Sequence, residues 1–104
     1  MSDFVKLARV GDIPPGSGKT LFLGALSIAL FNVDGRYFAI DNSCPHEDGP
    51  LGEGTLCGKV VTCPLHAYEF DLDSGECLTD DAYRVECYQV RVDGDDILVR
   101  LPGD

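Results

Sequence analysis

Along the chain, apolar and polar positions alternate in short runs, and no long segment keeps the three-to-four-residue period of an amphipathic helix. The pattern predicts strands over Phe4–Ala8, Thr20–Leu23, Ser27–Val33 and Arg36–Ile40. The first two are separated by Gly-Asp-Ile-Pro-Pro-Gly-Ser-Gly, which reads as a loop. The last two flank Asp34-Gly35, a strong hairpin signal because both turn positions tolerate positive φ. Further on, Lys59–Thr62 and Ala67–Leu72 bracket a Cys-Pro-Leu-His corner, Asp73-Ser74-Gly75 turns the chain, and Glu76–Leu78 returns. Val85 to Val92 alternates, Asp93-Gly94-Asp95-Asp96 turns, and Ile97–Leu101 completes a final hairpin. Many short strands at close spacing predict an all-β fold, an antiparallel sandwich or small barrel.

A length of 104 residues suits a single domain spanning 1–104, and 12 Gly with 6 Pro agrees with strands and turns. The N-terminus has no basic run leading into a long apolar stretch, and the most apolar segment, Leu21 to Phe31, is too short to cross a bilayer. The expectation is an unanchored, monomeric cytoplasmic protein. Eighteen acidic against eight basic residues, a formal charge of −10, argue against nucleic acid or an anionic membrane as partner and suit a basic protein surface. Gly16-Ser-Gly-Lys-Thr20 mimics the end of a phosphate-binding loop, but the required first glycine is Ile13 and no helix follows.

The five cysteines are an odd number, and with no export signal expected, metal ligation fits better than a disulfide framework. The candidates are Cys44-Pro45-His46 and, after sixteen intervening residues, Cys63-Pro64-Leu65-His66. His46 and His66 are the only two histidines, and both fall in this pattern. Two thiolates with two imidazoles suit either one tetrahedral zinc or a [2Fe-2S] core with sulfur ligands on one iron and nitrogen ligands on the other. Zinc sites more often pair like with like in each segment. One Cys and one His per loop is what a two-metal cluster needs, and zinc stays as the alternative. Cys57, Cys77 and Cys87 lie outside the pattern among apolar neighbours and read as structural, buried thiols.

Cys-X-His, sixteen residues, then Cys-X2-His resembles the signature of the Rieske family. The flanking text, Cys44-Pro-His-Glu-Asp-Gly-Pro-Leu-Gly-Glu-Gly-Thr55, Val60-Val-Thr-Cys-Pro-Leu-His-Ala-Tyr-Glu-Phe-Asp-Leu72 and Ser74-Gly-Glu-Cys-Leu78, is similar to soluble ferredoxins of bacterial multicomponent oxygenases. The resemblance implies a Rieske fold with a small cluster-binding subdomain at about 42–78 carrying two loops. It implies one [2Fe-2S] cluster, with Cys44 and Cys63 on the inner iron and His46 and His66 on the outer iron near the surface.

High-potential members carry extra cysteines at positions matching Gly49 and Leu65, and hydroxyl donors at positions matching Tyr68 and Phe70. Their absence here implies a potential toward the lower end of the family range, roughly −150 to +300 mV. Members often carry a proline in the loop over the cluster, near Asp80-Asp81, and this chain has none there.

The function so implied is one-electron transfer from a flavin-dependent reductase to a terminal oxygenase, by transient docking near His46 and His66. The alternative is a fixed subunit similar to the small subunit of assimilatory nitrite reductases. An oxygenase in its own right would need two further histidines and a carboxylate on a separate iron, and no histidine remains.

Overall fold

The Asp34-Gly35 turn forms as its residues dictate, with φ of 51° and 91°, and joins the two central strands β3 (Leu26–Val33) and β4 (Arg36–Asp41). The computed structural model of the chain describes residues 4–44, 49–65 and 67–100. Among these the remaining strands are β1 (Phe4–Arg9), β2 (Ser17–Leu23), β5 (Thr55–Cys57), β6 (Val60–Thr62), β7 (Glu69–Asp71), β8 (Cys87–Tyr88), β9 (Val90–Asp93) and β10 (Asp96–Arg100). Single 3-10 turns lie at Val10–Asp12 and Leu51–Glu53. Three antiparallel sheets result, in the orders β1-β10-β9, β2-β3-β4-β8 and β5-β6-β7.

The four-stranded sheet is a septum between two cores. Alternate residues of a strand face opposite sides, so Ile28, Leu30 and Ala39 pack with Ala8, Ile13, Ile97 and Val99 in a base core. Ala29, Phe31 and Ile40 pack on the other side with Cys44, Leu51, Val61, Cys63, Phe70, Leu72, Cys77 and Val85. Burial on both faces explains why β3 reads as a continuous apolar run rather than an alternating one. Each fully buried Leu, Ile or Phe contributes roughly 1.5–3 kcal/mol by leaving water. The small β5-β6-β7 sheet belongs wholly to the second core, as an insertion between β4 and β8.

Four expectations shift. Ser17 and Gly18 belong to β2 rather than to the preceding loop, because Gly18 lies directly under the Phe31 ring, leaving no room for a Cβ, and pairs with Phe31 across the sheet. That placement in a strand also removes any phosphate-loop geometry. β5 forms where no strand is expected, through a tight turn at Gly58 with φ of 58°. Glu76–Leu78 makes only isolated bridges, Phe70 with Cys77 and Glu76 with Arg84. The run from Val85 to Val92 is split, because Cys87–Tyr88 pair with β4 while Val90–Asp93 pair with β10, so the chain changes sheets at Gln89.

Candidate metal centre

β4 leads directly into the first loop. Asp41 ends the strand, and its carboxylate accepts the Ser43 N–H at 3.1 Å, turning the chain out of the sheet. Asn42 then anchors the loop at both ends. Its N–H bonds the Ser27 carbonyl at 3.0 Å and its carbonyl accepts the Leu51 N–H at 2.8 Å. Its side-chain oxygen accepts the Gly52 N–H at 2.7 Å and the Thr20 hydroxyl at 3.0 Å. Ser43 bridges Pro50, and the Cys44 N–H bonds the Gly49 carbonyl at 3.0 Å, so Cys44 sits at a hydrogen-bonded neck.

The second loop repeats this design. β6 ends at Thr62, the Cys63 N–H bonds the Tyr68 carbonyl at 2.7 Å, and the Ala67 N–H bonds the Cys63 carbonyl at 3.1 Å. Ala67 closes the loop with φ of 60°, a left-handed conformation that costs an alanine roughly 1–2 kcal/mol. Such strain persists only where surrounding bonds over-determine the turn. Cys63 is thus the neck residue of its loop, as Cys44 is of the first.

Cys44 and Cys63 are 1% and 3% exposed and share one apolar core. Gly49 lies between them: its carbonyl holds Cys44, and a Cβ on it would lie 2.6 Å from the Cys63 sulfur. The structure therefore brings the two expected sulfur ligands together at the base of two adjacent loops. His46 and His66 follow them by two and three residues and lie outside the described residues, as do Pro45, Glu47 and Asp48. Among the described residues no three His, Cys, Asp or Glu side chains form a metal-binding group. The donor set suits an iron–sulfur cluster: two buried soft sulfurs at the necks, with one histidine following each in sequence.

Aromatic side chains enclose the neck region. Phe70 is fully buried in the same core, and Tyr68 packs on that core against Tyr83, their ring centres 5.7 Å apart. Burial raises the Tyr68 pKa, with Tyr83 and Asp80 adding to the effect. Leu65, 52% exposed, covers Gly49 of the first loop, so an apolar side chain lies at the surface over the two necks.

The outlying cysteines differ from expectation. Cys77 is a buried core thiol, but Cys57 is exposed at the β5-β6 turn and Cys87 is exposed on β8. Partial burial still raises the Cys87 pKa, opposed by nearby Arg84. The short β5-β6 hairpin has no inner face at Cys57, which is why apolar neighbours in sequence did not mean burial.

Charge is divided unevenly. Residues 42–86 hold ten acidic and two basic side chains, whereas the rest of the chain holds eight and six. The segment carrying both loops is therefore strongly negative and the base nearly balanced. Among the described residues no helix is long and apolar enough to cross a membrane.

The Rieske-like [2Fe-2S] domain family matches residues 3–100. The biphenyl dioxygenase ferredoxin subunit of Pseudomonas sp. (strain KKS102) is 36% identical over 98 residues, covering 92% of this chain and 90% of that one. A solved complex of reduced oxygenase and oxidized ferredoxin in carbazole 1,9a-dioxygenase contains a chain 26% identical, with a TM-score of 0.85 over 93% of this chain and 92% of the other. The nitrite reductase [NAD(P)H] small subunit from Erwinia carotovora is 28% identical with a TM-score of 0.81, over 100% of this chain and 85% of that one. On the family match and the relative together, this chain belongs to the Rieske-like [2Fe-2S] family.

Proposed function

We propose that the protein, as one domain over residues 1–104, is a one-electron carrier that takes electrons from a flavin-dependent reductase and passes them to a terminal oxygenase. The observation that carries this reading is the pair of necked loops that sets Cys44 and Cys63 side by side in one core, each cysteine followed in sequence by a histidine two or three residues on. Cys44, His46, Cys63 and His66 would hold one [2Fe-2S] cluster. When bound, the cluster supplies reversible one-electron chemistry at a potential set by its ligands and their hydrogen bonds.

The chain's own contribution is to exclude water from the sulfur side, through Phe70, Leu51 and Val61. The oxygenase partner is supported by the likeness to dioxygenase ferredoxin subunits and to a ferredoxin solved with its oxygenase. Docking near His46 and His66 is part of the same reading. Acidic residues around them would speed encounter with a basic face while allowing rapid release. Such a carrier works as a cytoplasmic monomer.

The test is anaerobic redox titration of the purified protein, with iron and zinc analysis and electron paramagnetic resonance. Two irons per chain, a reduced-state signal of low average g and a midpoint low in the Rieske range are expected. A colourless protein with one zinc that cannot be reduced, even after cluster reconstitution, would sink the reading.

A second reading, a fixed nitrite reductase subunit, is favoured by the likeness to the Erwinia small subunit. Stable co-purification with a large reductase, and no turnover with an oxygenase, would establish it instead.

A further inference from the structure

Phe22 is 74% exposed, the most exposed of the large apolar side chains among the described residues. Isolated exposed apolar residues are common and by themselves mean nothing. The position of this one is specific. Gly18, Thr20 and Phe22 alternate onto one face of β2. On that face Gly18 lies under Phe31, and Thr20 bonds Asn42 and is covered by Gly52. Phe22 therefore projects from the side of the septum that faces the two loops, just past where their segment stops covering β2.

It also lies at the correct end of the sheet. Phe22 pairs with Ser27, whose carbonyl accepts the Asn42 N–H, and Asn42 is two residues before Cys44. Two strand spacings separate Phe22 from Asn42, about 10 Å. A partner footprint of roughly 800 Å² has a radius of about 16 Å, so one footprint centred on the neck at Asn42 takes in both. The hairpin tip is unlike an ordinary solvated turn, since residues 20–33 include no charged side chain in a chain with 26. The neighbouring Leu21, Leu23 and Leu26 pack on the base core, which holds the hairpin in place and leaves Phe22 pointing outward. An uncharged aromatic knob thus stands beside the strongly acidic segment 42–86.

We propose that the surface docking the terminal oxygenase extends from the two loops onto the β2-β3 hairpin, with Phe22 as its aromatic anchor. This rests on the carrier reading. The partner that fits is an oxygenase face with an apolar pocket at one side of a basic rim. The acids attract that rim from a distance, and Phe22, entering the pocket, fixes orientation and slows release. Aromatic side chains are enriched in interface cores for this purpose, and truncating such an anchor commonly weakens binding by fivefold or more.

The test uses the cluster-loaded full chain, reduced with dithionite, and the terminal oxygenases of the biphenyl and carbazole systems as acceptors. Phe22→Ser is compared with Phe22→Leu and with Val92→Ser, which removes an exposed apolar side chain from the base sheet. Phe22→Ser is expected to keep iron content, midpoint potential and kcat, and to raise the KM for ferredoxin roughly fivefold or more. Phe22→Leu should recover most of the loss, and Val92→Ser should match wild type. A Phe22→Ser KM equal to wild type overturns the proposal. So does a defect confined to reduction by a flavoprotein reductase, or sedimentation showing that Phe22 holds two copies of this chain together. Wild-type protein with an intact cluster that reduces neither oxygenase overturns the carrier reading itself, an outcome distinct from a failed Phe22 effect.

Discussion

Gly52 donates its backbone N–H to the Asn42 side-chain oxygen at 2.7 Å, tying the exit of the first loop to its entrance. Asn42 is only 7% exposed, and the same oxygen also accepts the Thr20 hydroxyl. Asn42→Ala leaves the buried Gly52 N–H without its acceptor, at a cost of about 1–3 kcal/mol. In a domain of this size that lowers Tm by about 4–8 °C per kcal/mol. Thr20→Val removes one bond and leaves Gly52 satisfied, so it should cost about 1 kcal/mol or less. Thermal melts of both variants check the order. Equal losses, or none, would show that the asparagine does not anchor the loop.

The cysteines should sort by position rather than by type. Cys44→Ser and Cys63→Ser are expected to abolish iron binding, because each removes a neck sulfur from the shared core. Cys57→Ser and Cys87→Ser should keep a full complement of iron, since both thiols lie outside the necks and are exposed. Cys77→Ser should also keep iron but lower Tm, because it puts a hydroxyl into an apolar core, at a cost of about 1–3 kcal/mol if unbonded. Iron content per chain decides each case. Retention of two irons in Cys63→Ser would exclude Cys63 as a ligand.

The sequence spelled out the candidate ligands more clearly than the architecture around them. Ligand spacing is local, and Cys-X-His with Cys-X2-His survives whatever the strands do. The all-β class was equally legible, because Asp34-Gly35 and the Asp93–Asp96 turn state their hairpins through residues that accept positive φ. The split at Gln89 was not, since strand pairing is a tertiary choice and alternation from Val85 to Val92 reads the same with one partner sheet or two. Gly18 was misread for a related reason. A glycine that makes room for Phe31 looks, in one dimension, like a glycine that makes a loop. Nothing in the sequence marks Ala67 as left-handed either, because that conformation is imposed by the bonds from Cys63 to Tyr68. The exposure of Phe22 was invisible for the opposite reason: its run looks like any buried strand until the covering segment is seen to stop at Thr20.

Cys87 gives a pH-dependent signature. Burial raises its pKa above the ordinary thiol value, and this outweighs the opposing Arg84. A group whose folded pKa is raised contributes its stabilisation in the protonated form. That contribution is complete below the ordinary thiol range, about pH 8.5, and is lost as pH climbs through the raised value. Tyr88 beside it is shifted upward as well, by burial and then by Asp41 and Glu86, and works in the same direction at higher pH. Thermal melts between pH 7 and 10 should fall less steeply for Cys87→Ser than for wild type. Iodoacetamide at pH 8.5 should label exposed Cys57 before Cys87, read by mass spectrometry. Equal labelling rates, with parallel melting curves, would show that Cys87 titrates as an ordinary surface thiol.

Long-range charge is tested separately from the Phe22 contact by Glu69→Lys. Glu69 is exposed on β7, and the strand there is held by backbone pairing and by the Thr79 hydroxyl accepting the Glu69 N–H at 2.9 Å, so the fold should not depend on its carboxylate. Reversal moves the local charge by two units within the acidic segment. Electrostatic steering acts on encounter, so the expected change is a slower second-order rate to a basic partner, roughly threefold at low salt, with midpoint potential and iron content unchanged. At about 1 M salt the Debye length shrinks to about 3 Å and the two rates should converge. Asp93→Lys, the same reversal on the base sheet, should change the rate far less, because charge there is nearly balanced. Stopped-flow reduction of the oxygenase across a salt series separates the possibilities. A Glu69→Lys deficit that persists at high salt would mean that Glu69 makes a short-range contact instead. Equal effects from Glu69 and Asp93 would mean that net charge, rather than its concentration around the loops, governs encounter.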